Sequence, residues 1–267
     1  MNTTREPYAT DVSDAEWEFL LPYLTLMKPD APQRDYPPRE LLDATRYLVK
    51  TGCQWRLLPH DFPPWNAVCQ RARRWVHAGV FEHIAHDLRA MARLPEGRGE
   101  EPTAVILDGR TIQSTPESGG RAGHDGAKKE RGSKVHVAVD TPGNLLALTV
   151  TAASVQGRAQ VAAPAARVQE VTGGSVELAY ADQGYTGEDA ARQAAEAGVR
   201  LEVVRHNGAR RGFVLPPRRR VVERSFGWLG RSRRLARGYE RLSGTLAAWH
   251  WLAFLTLLLP RAGVNSA

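Results

Sequence analysis

Three carboxylates in the sequence have the type and placement needed to bind metal ions. Asp108 follows the apolar run 104–107, and Asp182 follows the apolar run 176–181. Each run is long enough for a buried strand. Glu223 lies on a later segment whose apolar residues recur with helical spacing. Because the sites of α/β proteins gather where strands end, we expect the three side chains to converge.

Converging carboxylates repel one another unless a divalent cation neutralises them. Hard oxygen ligands suit Mg²⁺ or Mn²⁺. Two such ions roughly 3.5–4 Å apart can activate a water or hydroxyl and stabilise the leaving oxygen of an in-line phosphoryl displacement. The predicted cofactor is therefore two Mg²⁺ or Mn²⁺ ions per active site, with Asp108, Asp182 and Glu223 as both metal ligands and catalytic residues.

Each acid also has a structural interpretation without chemistry. Asp108 with Gly109 could form a hairpin turn, Asp182 could cap the segment that follows it, and Glu223 could pair with a neighbouring arginine on a solvated helix. Taken singly, these alternatives explain each residue at least as well. Taken together, they do not account for two strand-end aspartates and a glutamate among arginines in this order of elements.

The positive charge of the chain is concentrated in one patch. Residues 205–241 hold twelve arginines and two glutamates, a local charge of +10 within a total of +7. Such a patch indicates a nucleic-acid binder, although a solubilising surface is the simpler alternative. Helical spacing places Arg220, Arg224, Arg231 and Arg234 along one stripe, where we expect them to contact DNA phosphates.

Cysteine use and hydropathy argue against three classes of protein, namely zinc fingers, secreted proteins and membrane proteins. Cys53 and Cys69 are the only cysteines and neither belongs to a CxxC pair, which excludes a zinc finger. The N-terminus lacks a signal-peptide pattern. The apolar segment 246–259 is shorter than the ~20 residues that span a bilayer. We therefore expect a cytoplasmic protein with no membrane partner.

Residues 1–98 predict a small all-α domain. Ser13 and Glu16 form a capping-box pattern that opens a first helix. Pro38 suits the start of a second helix and Gly52 its end. A third helix runs from about Trp65, and helical spacing continues after a glycine into a fourth.

The third predicted helix has a polar face that could read DNA. Arg71, Arg73 and Arg74 fall away from the apolar stripe of this helix, as in a helix-turn-helix protein. The alternative is an ordinary helical cap, because residues 1–100 carry thirteen basic and fourteen acidic residues. We predict a DNA-binding role for the three arginines.

Residues 99–267 predict an α/β catalytic domain, a mixed sheet with flanking helices. After the first strand, the glycine-rich and charged stretch 109–132 is expected to be a loop. The order that follows is a hairpin, a helix, a strand, a helix, a strand and helices, with predicted bounds at 134–140, 145–153, 159–171, 176–181, 188–197 and 199–204.

These residues together carry a resemblance to a known family. The chain resembles the DDE transposases of bacterial insertion sequences, close to the insertion-sequence-five family, over nearly its whole length. The matching stretches are 36–40, 51–59 and 62–65 in the N-terminal part, then Ile106-Leu107-Asp108-Gly109, Ala181-Asp182-Gln183-Gly184-Tyr185, Val222-Glu223-Arg224-Ser225-Phe226-Gly227-Trp228-Leu229, 233–237 and 239–241. The chain departs from the family pattern at Val135, at 157–159 and at Gly238.

The resemblance implies a ribonuclease-H-like fold, and it gives the acids their roles. Asp108 would bridge both metals, while Asp182 and Glu223 would each complete one. Lys134 resembles a family lysine that lies near the substrate phosphates. The spacing also agrees, since Asp182 follows Asp108 by 74 residues and Glu223 follows Asp182 by 41, which leaves no room for a large inserted domain.

The function implied is cut-and-paste DNA transposition in a bacterial cytoplasm, at the nucleoid. The partners would be double-stranded DNA, as terminal inverted repeats and as target, and a second copy of the chain when two DNA ends are paired. The alternatives are a nuclease of the same fold that does not join DNA, and a non-catalytic DNA-binding protein derived from a transposase.

Overall fold

The computed structural model describes residues 5–25, 35–155, 161–204 and 217–264. Within these ranges the helices are α1 (Asp14–Leu24), α2 (Pro38–Thr51), α3 (Trp65–His77), α4 (Val80–Arg93), α5 (Ala162–Val171), α6 (Glu188–Glu196), α7 (Pro217–Leu229) and α8 (Ser243–Arg261). The strands are β1 (Ala104–Gln113), β2 (Gly123–Asp125), β3 (Glu130–Asp140), β4 (Leu145–Ala152), β5 (Leu178–Ala181) and β6 (Arg200–Val203).

The N-terminal helices begin and end where local chemistry predicts. The Ser13 hydroxyl accepts the Glu16 N–H at 3.2 Å, and the Glu16 carboxylate accepts the Ser13 N–H at 3.1 Å, so the capping box of α1 is confirmed. Pro38 is the first residue of α2, where its missing N–H costs nothing. Gly52 ends α2 in the left-handed conformation, with φ of 73°.

The six strands form one mixed sheet in the order β2-β3-β1-β5-β6, with β4 also paired to β3. Strands β1, β5 and β6 are parallel, and β3 runs antiparallel to β1. Strand β4 runs antiparallel to β3 as the predicted hairpin. This is the predicted α/β class, a helical region followed by a ribonuclease-H-like mixed sheet.

The prediction of a loop from 109 to 132 is wrong for much of that stretch. Strand β1 continues through Gln113, and β3 already begins at Glu130. A short 3-10 helix at Pro116–Arg121 and the brief strand β2 lie between them. The cause is long-range pairing, because the ladder to β3 satisfies the backbone groups of a glycine-containing segment that has little strand propensity of its own.

The two faces of the sheet are covered by different helices. Helices α5 and α6 cover one face, where Val105, Leu107 and Ala179 are buried. Helices α7 and α8 and the N-terminal helices cover the other, where Ile106 and Val137 are buried. Because side chains alternate along a strand, Asp108 belongs to the second face.

Helix α8 is the central helix of the larger core. Its 19 residues make it long and apolar enough to cross a membrane, so the expected shortness of this segment is wrong. Trp249 and Phe254 are nevertheless almost fully buried among neighbouring helices. The ring of Trp249 lies 6.5 Å, centroid to centroid, from the ring of Phe81 on α4. Its apolar composition is therefore explained by burial inside the protein.

A buried ionic network joins α4 to the sheet and to α8. Arg93 of α4 donates to Asp140 at the end of β3 at 2.8 Å, and Asp140 is fully buried. The Asn144 backbone N–H donates to the same carboxylate at 2.7 Å. Arg261 of α8 donates to the Asn144 side-chain oxygen at 2.8 Å. The N-terminal helices are thereby fixed to the sheet by directional bonds as well as by apolar packing.

Candidate active site

Asp108 and Asp182 are neighbours on adjacent parallel strands. Leu107 of β1 and Ala181 of β5 are register partners, and the two aspartates are the residues that follow them. Asp108 does not end its strand, as the sequence suggested, since β1 runs on to Gln113. Asp182 does follow the last residue of β5. The pair therefore sits where β5 stops and β1 continues.

Each carboxylate is oriented by a backbone N–H. The Gly109 N–H donates to Asp108 Oδ1 at 2.7 Å. The Gly184 N–H donates to Asp182 Oδ1 at 2.8 Å, so Asp182 caps the 3-10 helix Gln183–Tyr185. The hairpin-turn interpretation of Asp108 is wrong, because the residue lies within β1. The cap interpretation of Asp182 is correct, and it uses only one of the two carboxylate oxygens.

Glu223 lies on α7, which packs against the face of β1 that bears Asp108. Arg110, two residues after Asp108 and on the same face, donates to the backbone oxygens of Phe226 at 3.5 Å and Leu235 at 3.3 Å. Its guanidinium carbon also lies 5.3 Å from the centre of the Phe226 ring. Glu223 precedes Phe226 by one helical turn. The half-buried Arg110 thus fixes the helix that carries the third acid.

The carboxylate oxygens are chemically suited to Mg²⁺ or Mn²⁺. Among the residues that the structure describes, however, no group of three or more His, Cys, Asp or Glu side chains is close enough to hold a metal ion. The structure brings Asp108 and Asp182 together and places Glu223 on the covering helix. It does not close a three-carboxylate cluster.

Tyr185 is a site residue to which the sequence analysis gave no role. Its side chain is buried, and burial together with the nearby Asp108 and Asp182 carboxylates raises the pKa of its hydroxyl. The hydroxyl lies where a side chain of Gly109 would stand, 3.4 Å from the position of a Cβ built there. The absence of a side chain at Gly109 therefore leaves room for the phenol hydroxyl beside β1, one residue along the strand from Asp108.

The Tyr185 hydroxyl continues into a buried hydrogen-bonded chain. Its oxygen lies 3.4 Å from His136 Nδ1, and His136 Nε2 lies 3.1 Å from the Thr151 hydroxyl. Thr151 donates to the Ala152 carbonyl at 3.3 Å. In the consistent assignment His136 Nε2 donates to Thr151, so that Nδ1 accepts the Tyr185 proton. Burial, with a smaller effect of Lys134, lowers the pKa of His136 to about 4, which keeps the ring neutral at pH 7.

The sequence contained a signal for this chain. Tyr185 closes the stretch Ala181-Asp182-Gln183-Gly184-Tyr185, and His136 lies two residues after Lys134. Neither fact says that the two side chains meet. The contact follows from the register that places His136 opposite Gly109.

The predicted stripe of four arginines is wrong. Helix α7 ends at Leu229, so only Arg220 and Arg224 lie on it, and both are exposed. Arg231 is exposed beyond the helix end. Arg234 is 7% exposed and donates to Glu240 at 2.7 Å and to the Cys53 carbonyl at 2.9 Å. Its burial follows from Glu240, which compensates the charge inside the protein.

The predicted polar face of α3 is correct for two of its three arginines. Arg73 and Arg74 are exposed, whereas Arg71 is 8% exposed, with its guanidinium carbon 5.8 Å from the centre of the Trp75 ring. Packing of α3 against its neighbours therefore buries Arg71, which the apolar stripe alone does not predict to be buried. Lys134 is half-buried on β3 and faces Thr111 of β1 in the register.

Some predicted features lie outside the described residues. They are the start of the helix expected at 159, the departures at 157–159 and the part of the arginine-rich stretch between 205 and 216.

The mixed sheet with flanking helices is that of the ribonuclease-H-like class, whose members include polynucleotidyl transferases and endonucleases. The comparisons with known families specify it further. Residues 99–259 match the model of the transposase DDE domain, and residues 12–85 match the model of the IS4/5 transposase family. The chain belongs to the DDE transposase family of insertion sequences. None of the curated proteins matches it in sequence.

Membership gives the general chemistry of the protein. DDE transposases act on DNA and in general use divalent metal ions. The donor chemistry of Asp108, Asp182 and Glu223 agrees with that requirement.

Proposed function

We propose that the protein is a cut-and-paste DNA transposase. It would bind the terminal inverted repeats of its own insertion sequence, cleave the DNA ends and join the exposed 3′-hydroxyl to target DNA. The observation that supports this most directly is the pairing of Asp108 and Asp182 on adjacent parallel strands, beneath the helix that carries Glu223, in a chain of the DDE family.

The three acids have distinct tasks in this proposal. Asp108, Asp182 and Glu223 would hold two Mg²⁺ or Mn²⁺ ions, and such ions activate a water or hydroxyl and stabilise the leaving oxygen. The N–H groups of Gly109 and Gly184 fix the orientation of the two aspartates. Arg110 fixes the helix that bears Glu223.

DNA contacts are proposed for the cations that remain accessible. Arg220, Arg224 and Arg231 are exposed on and just after α7, and they would contact backbone phosphates. Lys134 would lie near the phosphates at the acids. Arg234 is committed to Glu240, so its contribution would be to position this segment.

The N-terminal part, residues 1–98, would act as a DNA-binding domain, with Arg73 and Arg74 on its accessible face and Arg71 as a packing residue. Residues 99–267 would form the catalytic domain. The working unit would be a homodimer, because two DNA ends must be paired. The location would be the bacterial cytoplasm, at the nucleoid.

The proposal is tested by incubating the protein with Mg²⁺ and a duplex bearing the terminal repeats of its element. We expect cleavage at the repeat ends and joined products with a target plasmid. Asp108→Asn, Asp182→Asn and Glu223→Gln should abolish both. Asp189→Asn is the matched control, since Asp189 is an exposed acid on α6 paired with Arg192.

Three outcomes would contradict parts of the proposal. Cleavage by Asp108→Asn at the wild-type rate would remove the acid from catalysis. Cleavage without any joined product would indicate a nuclease. Binding without cleavage by the wild type, together with no divalent-ion binding, would indicate a non-catalytic DNA-binding protein.

A further inference from the structure

A pocket of about 240 Å³ lies between the N-terminal helices and the segment that follows the third acid. It is lined by Arg46 and Lys50 of α2, by Thr10, by Trp228 at the end of α7, and by Arg231 and Ser232 just beyond it. We infer that this pocket binds a backbone phosphate of the DNA. The inference rests on the proposed function and adds a contact between α2 and DNA that involves neither α3 nor the three acids.

The charge of the pocket favours an anion. Three of its ten lining residues are cationic and none is acidic. Arg46 donates to Glu16 at 3.2 Å, and that carboxylate also accepts the Ser13 N–H. Within the described ranges neither Lys50 nor Arg231 has a salt-bridge partner. Among the described residues the pocket therefore retains positive charge that an external anion would neutralise.

Two residues that line the pocket carry a buried donor without an acceptor among the described residues. The Arg46 side chain is only 10% exposed, and its Nε–H is buried without a hydrogen-bond partner in the described structure. The Thr10 hydroxyl is also buried without a hydrogen-bond partner in the described structure. These two donors are closed off from the pocket space, so the cations that an anion in the pocket would meet are the exposed Lys50 and Arg231. A phosphate oxygen is a strong acceptor for an arginine donor.

The surroundings favour a phosphate of DNA over a small free anion. The guanidinium carbons of Arg224 and Arg261 lie 4.9 Å and 5.8 Å from the centre of the Trp228 ring, which forms one wall of the pocket. Arg224 is exposed, as are Lys50 and Arg231 at the pocket itself. The positive surface therefore extends from the pocket to Arg224 on α7, which donates to the Pro142 carbonyl in the turn after β3 at 2.8 Å. A polyanion can contact all of it at once, whereas a single small anion cannot.

The pocket also connects two parts of the chain that are distant in sequence. Arg46 and Lys50 belong to the N-terminal helices, and Trp228 and Arg231 to the catalytic part. A phosphate bound between them would tie DNA held by the N-terminal part to the helix that carries Glu223. This gives a physical route by which binding of a DNA end could stabilise the position of α7.

The test measures binding of a random-sequence duplex as a function of salt. Lys50→Gln and Arg231→Gln remove exposed cations of the pocket, and Arg200→Gln is the matched control, an exposed arginine on the distant strand β6. For each pocket variant we expect weaker binding and a slope of log K against log[salt] that is shallower by about 0.9 per lost phosphate contact. The control should keep the wild-type slope.

Wild-type slopes in both pocket variants would overturn the inference, and so would an equal loss in the control.

A free anion is tested by thermal unfolding in inorganic phosphate. If millimolar phosphate raises the Tm of the wild type but not of Lys50→Gln, while DNA slopes are unchanged, the pocket binds free phosphate and the DNA assignment is wrong. Cleavage of terminal-repeat DNA by the wild type is measured in parallel. Its absence would contradict the proposed function, whereas wild-type cleavage with unchanged slopes would contradict the pocket alone.

Discussion

Ala181 of β5 lies opposite Leu107 of β1 in the parallel register, and Asp182 therefore follows beside Asp108 at the edge where β5 ends. The two carboxylates come from positions 74 residues apart in the chain, and a one-residue shift of the register would send one of them to the opposite face of the sheet. The apolar residues of β1 and β5, buried on both faces, fix that register. Packing of the core thereby sets the geometry of the site.

Tyr185→Phe should weaken metal binding and leave the fold intact. The Tyr185 hydroxyl interacts electrostatically with both aspartates and is held by His136, so its loss removes an oriented dipole from the surroundings of the ligands. Loss of such a partner typically costs 10- to 100-fold in metal affinity or activity. The measurement is the Mn²⁺ dissociation constant, with the Tm as a check on folding. Tyr23→Phe is the control, because Tyr23 donates to Asp87 at 2.6 Å in the N-terminal region; an equal change there would contradict a specific role for Tyr185.

Gly109→Ala should disturb the site from within the strand. A methyl group at this position would lie 3.3 Å from His136 Nδ1, closer than ordinary contact, and 3.4 Å from the Tyr185 hydroxyl, at the short limit of ordinary contact. We expect a loss of about 1–3 kcal/mol in the free energy of unfolding, as for other overpacked cores. Urea unfolding measures it, with Gly244→Ala as the control, since nothing lies within 4 Å of a Cβ at Gly244.

The same substitution tests the contact through a double variant. Because Tyr185→Phe removes one of the two crowded atoms, Gly109→Ala combined with Tyr185→Phe should cost less than the sum of the single variants, by at least about 0.5 kcal/mol. Strict additivity would show that the hydroxyl and the new methyl group do not meet.

Arg93→Met should destabilise the protein strongly. It leaves the fully buried Asp140 carboxylate without its cation, which typically costs 3–5 kcal/mol. Arg98→Met is the matched control, because Arg98 is 45% exposed and its distance to Glu96 is 3.5 Å. Loss of an exposed pair of this kind costs at most about 1 kcal/mol. Similar losses in the two variants, measured by urea unfolding, would contradict the importance of this network.

The pH dependence of stability should carry a contribution from Asp43. Burial raises the pKa of this carboxyl to about 7, with Asp11 adding to the effect, while the Val12 N–H, Arg46 and Arg5 oppose it. The folded protein thus holds a proton that the unfolded chain has lost, so the contribution is fully present below about pH 4 and is lost as the pH rises through 7.

Asp43→Asn removes this titration. The free energy of unfolding of the wild type should therefore fall relative to the variant between about pH 4 and 7, by at most about 1.4 kcal/mol per pH unit for one proton. Parallel pH profiles of the two proteins in urea unfolding would show that Asp43 keeps an ordinary pKa.

The sequence by itself predicted the secondary-structure elements and the candidate carboxylates. Capping residues, proline and glycine placement and apolar periodicity are local, and they predicted the N-terminal helices and the order of strands and helices correctly. The position of Asp182 directly after an apolar strand also followed from local pattern. Asp108 was expected at a strand end but lies within β1, and it is the parallel register that makes the two aspartates neighbours.

The tertiary structure decided everything that depends on partners distant in sequence. Residues 109–113 are strand only because β3 supplies their hydrogen bonds. Arg234 is buried because Glu240 receives it, and no spacing rule distinguishes it from the exposed Arg231. The contact of Tyr185 with His136, and the meeting of Arg46 with Trp228 in one pocket, likewise arise from packing. Such contacts reflect the register of strands and the balance between burial and charge compensation, which no local pattern encodes.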